Sequence, residues 1–125
     1  MEPSTEIKDP ILQLYNKVIA GEVFIADRFY ARQEGVLVIG SDPNEWGGDH
    51  DSIIQFYKAA SASGMDIKIN TLEAYRQGTF DWAVDRVMAK LSDGVQGSVR
   101  HTYVLHQEKC AWKIVQAPIS LDIPN

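Results

Sequence analysis

A chain of 125 residues with 12 Lys and Arg against 17 Asp and Glu carries a formal net charge of −5, without a dense basic run. That pattern excludes the clustered cations with which a nucleic-acid surface neutralises phosphates, and it disfavours attraction to an anionic membrane. With 45% hydrophobic and 23% charged residues, and neither repeats nor low-complexity tracts, residues 1–125 are expected to form a single domain.

In chain order, the opening "MEPSTEIKDP" is acidic and polar, unlike a secretory signal or transit peptide. No apolar run approaches the roughly 20 residues that span a bilayer. The one cysteine, Cys110, leaves no intrachain disulfide, which suits a reducing compartment; a cytoplasmic location is expected. Asp9-Pro10 has the chemistry of a helix start. Ile11, Leu14, Tyr15, Val18 and Ile19 follow at helical spacing, and Gly21 ends that helix. A short irregular or helical piece spans Val23 to Phe29, and Val36 to Ile39 reads as a buried strand. "HDSIIQFYKAASASG" predicts a second helix, capped by Asp51 or Ser52, with Ile53, Ile54 and Tyr57 inward and Gly64 at its end.

The remainder is strand-like. "DIKINTLEAYRQG" alternates with a slip near Asn70 that predicts a bulge. "FDWAVDRVMAKLSDG" alternates around Trp82 and closes on Asp93-Gly94, a hairpin signal. "SVRHTYVLHQEKCAWKIVQAPISL" gives two further strands joined at Glu108-Lys109-Cys110. Helices followed by antiparallel strands make the α+β pattern, with helices on one face of a sheet. The last two strands look apolar on both alternations, whereas a sheet with one wet face should alternate cleanly. A second copy covering the outer sheet face is therefore expected, with Val99, His101, Tyr103, Val115, Ala117 and Ile119 as candidates for burial in a homodimer.

Several segments carry a resemblance. "VLVIGSDPNEW", "AYRQGTFDW", "VRHTYVL", "WKIVQAPIS" and the closing "IPN", in this order and spacing, resemble the SnoaL-like branch of the nuclear transport factor 2-like, ketosteroid isomerase-like superfamily, from Ile11 to Asn125. The resemblance implies a cone: a curved antiparallel sheet packed on N-terminal helices, the cystatin-like roll, with a pocket at the wide end and dimerisation through the outer face. It does not imply one activity, because the superfamily includes steroid isomerases, polyketide cyclases, dehydratases and protein-assembly domains.

The steroid-isomerase branch carries its general base as an Asp before a Pro at the end of an early strand, and Asp42-Pro43 resembles it. A carboxylate at an apolar rim would have a raised pKa suited to moving a proton beside a carbonyl; the other use of Asp42 is simply to turn the chain. The same branch pairs a Tyr of the first helix with a protonated acid. Tyr15 stands on that helix, one residue short of the pattern's distance to Gly21, and no second acid is evident on the late strands. Pro118 replaces a His that the branch usually carries two residues before Ser120.

Arg100 and Thr102 share one strand face, where a half-buried Arg needs either an acid of the fold or an anionic ligand. His101 and Tyr103 are read as interface or surface residues. Trp46, Tyr57 and Trp82 suit either an aromatic pocket lining or core packing. Tyr15, Trp46, Tyr57, Trp82, Arg100, Thr102 and Gln116 form the candidate ligand pocket, and Asp42 is the candidate catalytic acid–base group. No zinc spacing, complete calcium loop, phosphate-binding glycine loop or nucleophile motif is present, so neither metal nor cofactor is expected. Cys110 is read as an incidental thiol. Two functions remain: cofactor-independent isomerase, cyclase or lyase chemistry on a small apolar oxygenated metabolite, or a non-catalytic ligand-binding or oligomerisation module on the same fold.

Overall fold

The computed structural model describes residues 2–22, 26–40, 45–62, 64, 66–77, 80–90, 96–108 and 111–121. Their elements are β1 (Glu2–Pro3), α1 (Thr5–Ile19), α2 (Ala26–Phe29), β2 (Leu37–Ile39), β3 (Trp46–Gly47), α3 (His50–Ala62), β4 (Asp66–Gln77), β5 (Phe80–Lys90), β6 (Gln96–Glu108) and β7 (Ala111–Leu121).

Ile7, Ile11, Leu14, Tyr15 and Val18 form the buried stripe of α1, the one-sided pattern expected of a helix lying on a sheet. Ile19 lies outside the stripe and is exposed. The helix begins at Thr5 rather than at Asp9-Pro10, and Pro10 lies inside it. Fully buried Ile7 extends the apolar stripe N-terminally, and the Ser4 N–H bonds the Ala74 carbonyl at 3.0 Å, tying the preceding chain to β4. Pro10, in the second turn, has no N–H for the Glu6 carbonyl and so costs one intrahelical bond. At the other end Gly21 adopts φ 80°. Its N–H bonds the Val18 carbonyl at 3.1 Å, and the Glu22 N–H bonds the Lys17 carbonyl at 3.0 Å. This paired closure satisfies carbonyls that the helix leaves open.

The cap of α3 is Asp49, not Asp51 or Ser52: its carboxylate accepts the Ser52 N–H at 2.7 Å. Ile53 and Tyr57, one turn apart, are the buried residues of this helix. α1 packs on β4 and β5, and α3 packs against α1, α2 and β3.

The sheet has seven strands in the order β1-β4-β5-β6-β7-β2-β3. All pairings between the strands are antiparallel except β2 with β7, so a largely antiparallel sheet holds one parallel pair inside its β3 edge. Two bulges bend it around the helices. Asn70 is the extra residue between Ile69↔Val87 and Thr71↔Arg86, at the position where the alternation slips. Val115 is the extra residue between Leu105↔Ile114 and Val104↔Gln116. A bulge sharpens local twist and re-aims the side chains beyond it.

The Val115 bulge corrects the expected face assignment. Trp112 and Ile114 point inward before it, and Ala117 and Ile119 point inward after it, all in or against the core. The apparent two-sided apolar character of β7 is one continuous inner face interrupted by an extra residue. Val99, Tyr103 and Val115 also pack inward, and His101 Nδ1 lies 3.0 Å from the Tyr15 hydroxyl of α1. The six residues expected at an outer interface are thus used to seat the helices. The outer face instead presents cross-strand rows: Tyr75, Trp82, Val104 and Gln116; Glu73, Val84 and Thr102; Thr71, Arg86, Arg100 and Ser120.

Candidate functional site

A cavity of about 330 Å³ opens between α1, α3 and the inner faces of β4 to β7. Val18, Phe56, Ile67, Val87, Val99 and Ile119 supply apolar wall, while Tyr15, Glu45, Tyr57, His101 and Tyr103 supply polar atoms. An apolar cavity with a few convergent polar groups is the usual profile of a small-molecule site.

Three of these groups, Tyr15, His101 and Tyr103, meet around the buried Asp85. Asp85 of β5 faces inward with its side chain fully buried, and its Oδ1 lies 2.7 Å from His101 Nδ1. The Tyr15 hydroxyl donates to Asp85 Oδ2. It also lies 2.7 Å from the Tyr103 hydroxyl and 3.0 Å from His101 Nδ1. The carboxylate thus accepts one hydrogen at each oxygen. Because His101 gives its Nδ1 hydrogen to Asp85, the neutral ring carries its lone pair on Nε2. Burial pushes the Tyr15 phenol well above its ordinary pKa, with the neighbouring Asp85 charge adding to the effect. Burial likewise raises Tyr103. Both remain neutral hydroxyls at physiological pH.

A second phenol pair lies elsewhere on the wall. The Tyr30 and Tyr57 hydroxyls are 2.5 Å apart, both raised in pKa chiefly by burial. Tyr57 lines the cavity and Tyr30 stands behind it, 2% exposed.

Of the residues expected to line a pocket, Tyr15 and Tyr57 do so. Trp46, at 67% exposure, is on the surface. Trp82 stacks on Tyr75 across the outer face, with ring centroids 4.6 Å apart. Arg100 and Thr102 are exposed on that face, and Gln116 shares the row of Val104. The cause is one inverted phase. Trp82, Val84 and Arg86 pair with Val104, Thr102 and Arg100, so taking Trp82 as inward turns the whole of β6 around. The opposite phase, Asp81-Ala83-Asp85-Val87, is the buried one. Asp85, His101 and Tyr103 are site members that sequence reasoning missed. The signal for Asp85 and His101 was an acid spaced two residues from Ala83 and Val87 and facing a His across a hairpin. Asp42 and Cys110 lie outside the described residues.

A curved sheet closed on helices around a lined cavity defines the nuclear transport factor 2-like class. The family model for the SnoaL-like domain matches residues 7–124, and the chain belongs to that family. No curated protein matches it. Among solved structures, a nuclear transport factor 2-like protein of unknown function from Pseudomonas putida is similar at 13% identity and TM-score 0.82, covering 96% of this chain and 87% of that one. A candidate ketosteroid isomerase from Shewanella frigidimarina is similar at 15% identity and TM-score 0.79, with 94% and 96% covered. A candidate dehydratase of the same superfamily from Streptomyces avermitilis is similar at 11% identity and TM-score 0.79, with 95% of each chain covered. At these identities the likeness is one of fold. No helix among the described residues is long and apolar enough to cross a membrane.

Proposed function

We propose that the protein binds a small apolar, oxygenated metabolite in the cavity and moves a proton beside its carbonyl group. This step is common to isomerisation, cyclisation and dehydration. His101 is the base and Asp85 the residue that positions it. The observation that supports this reading is the Asp85–His101 contact at 2.7 Å on the wall of an apolar cavity. A buried carboxylate holding Nδ1–H fixes the tautomer and stabilises the imidazolium formed when Nε2 takes a proton. Apolar surroundings strengthen that electrostatic support. Trp46 and Trp82 do not line the cavity, which leaves room for a ligand and favours this reading over the non-catalytic module.

The test is hydrogen–deuterium exchange, followed by NMR, of a panel of monocyclic, bicyclic and tricyclic enolisable ketones in deuterated buffer. Exchange alpha to the carbonyl should run faster with the protein than without it, and Asp42→Asn should retain it. Ketones that bind without accelerated exchange would favour the non-catalytic module; loss of exchange in Asp42→Asn alone would return the base to the strand-end loop. A homodimer through the outer sheet face is proposed alongside, with the row of Tyr75, Trp82 and Val104 as its apolar centre.

A further inference from the structure

Arg100 has two uses open to it from the sequence, an acid of the fold or an anionic ligand. The fold gives it no acid. Arg100 is exposed on the outer face of β6, and its direct cross-strand partner on β5 is Arg86, exposed as well. Among the described residues neither guanidinium has a carboxylate within ion-pair distance. Like charges directly opposite on adjacent strands repel. The pair nevertheless stands on the two central strands of the sheet, in a chain whose net charge is −5.

The rest of the row supplies hydroxyls. Thr71 pairs with Arg86 on one side, and Ser120 pairs with Arg100 on the other. The adjacent row holds Glu73 and Thr102 with Val84 between them. These residues line a groove of about 610 Å³ on the outer face. Asp85 and His101, between the two rows, turn their side chains to the inner cavity. On the far side of the arginines Lys68 stands opposite Met88. Three cations thus surround the groove against one outward acid, Glu73.

Two guanidinium forks side by side, flanked by hydroxyl donors, match the oxygens of one tetrahedral dianion. A single carboxylate would leave one fork unused. Glu73 repels negative charge that extends further along the face, which limits the site to one such group and disfavours a polyanion or a charged bilayer. Val84, with Trp82 and Val104 in the row beyond, offers apolar surface to whatever carries the anion.

We propose that Arg86 and Arg100 bind the phosphate group of a small, soluble organic phosphate monoester on the outer sheet face. Thr71, Thr102 and Ser120 are the hydroxyl donors, and the apolar part of the ester lies over Val84. The site is separate from the cavity and independent of the proton-transfer reading. It stands two rows from the Trp82–Val104 row proposed for assembly, and each copy carries it whole.

The experiment is an NMR titration of the wild type with phenyl phosphate at constant ionic strength, read at the Nε–H signals of Arg86 and Arg100. Both should shift and saturate. Phenyl sulfate, a monoanion of similar shape, should bind roughly tenfold more weakly. Arg86→Gln and Arg100→Gln should each weaken phenyl phosphate about tenfold or more, the scale of a lost charge-assisted hydrogen bond. Arg100→Lys should restore only part of the loss, because an ammonium lacks the fork, and Glu73→Gln should tighten binding. Thermal melts without ligand give a second readout. Arg100→Gln should keep or raise Tm, since it removes a repulsion; a lowered Tm would show that Arg100 holds an acid of the fold and would overturn the site. Shifts that do not saturate, phenyl sulfate binding as well as phenyl phosphate, or glutamine variants that bind like the wild type would overturn it too. Sedimentation with phosphatidate vesicles, without binding of the soluble ester, would move the phosphate to a lipid surface and overturn the assignment to a soluble ligand.

Discussion

Asp85 and His101 are direct cross-strand partners on β5 and β6, and their side chains turn inward to meet at 2.7 Å beneath the Tyr15 hydroxyl of α1. The pairing register, the curvature of the sheet and the seating of α1 all converge on this contact. Changing Asp85→Asn keeps the shape but gives the buried side chain an NH2 that faces either Tyr15 O–H or His101 N–H, donor against donor. A loss of about 1–3 kcal/mol is expected, read as a lower urea midpoint with an unchanged slope. Stability equal to the wild type would mean that the carboxylate is not accepting both bonds.

The buried phenols predict an alkaline limit. Four of the five tyrosines, Tyr15, Tyr30, Tyr57 and Tyr103, have folded pKa values raised above the ordinary phenol, in each case chiefly by burial. Above about pH 10 the unfolded chain releases protons that the folded chain keeps. Stability is therefore complete below that pH and falls as pH rises beyond it, by up to about 1.4 kcal/mol per pH unit for each such tyrosine. Urea titrations above pH 9 should show the decline, with phenolate absorbance of these residues appearing together with unfolding. Phenolate formation in the native protein near pH 10 from all five tyrosines would contradict the burial.

Asp49 caps α3 through the Ser52 N–H, and that bond holds its carboxyl below the usual Asp range. The contribution is present above the unfolded Asp pKa and is lost as pH falls through the depressed folded value. Asp49→Ala should lower Tm at neutral pH more than Asp51→Ala does, and the difference should close in acid. Equal effects of the two substitutions at neutral pH would mean that the cap is not where the geometry has it.

The outer face supplies the test of assembly. Light scattering at micromolar concentration should give the mass of a dimer, and Val104→Glu, in the row with Trp82 and Gln116, should shift it toward monomer. A monomeric wild type would end the dimer proposal.

The elements were legible because their signals are local. The stripe of Ile11, Leu14, Tyr15 and Val18 gives α1, and the slip at Asn70 gives the first bulge. The faces of β5 and β6 were not, because local hydropathy favours the wrong phase: Trp82 and Val84 are more apolar than Asp81, Ala83 and Asp85. What seats Asp85 inside is a set of partners distant in the chain, Tyr15 at a separation of 70 and His101 at 16. A buried acid is favourable only once those donors are in place. The Val115 bulge hid the inner face of β7 for a related reason, since one extra residue reverses every later side chain.

Two adjacent residues of β6 distinguish its inner face from its outer one as the working face. His101 lines the cavity, whereas Thr102 is exposed on the outer face. Alpha-proton exchange of a bound ketone should be measured for His101→Asn and Thr102→Val alongside the wild type, with folding checked by circular dichroism. The expected result is a loss on the order of 100-fold in His101→Asn, the scale of general base catalysis, and an unchanged rate in Thr102→Val. Exchange that survives in folded His101→Asn, or that falls only in Thr102→Val, would contradict the assignment of the inner face as the working site.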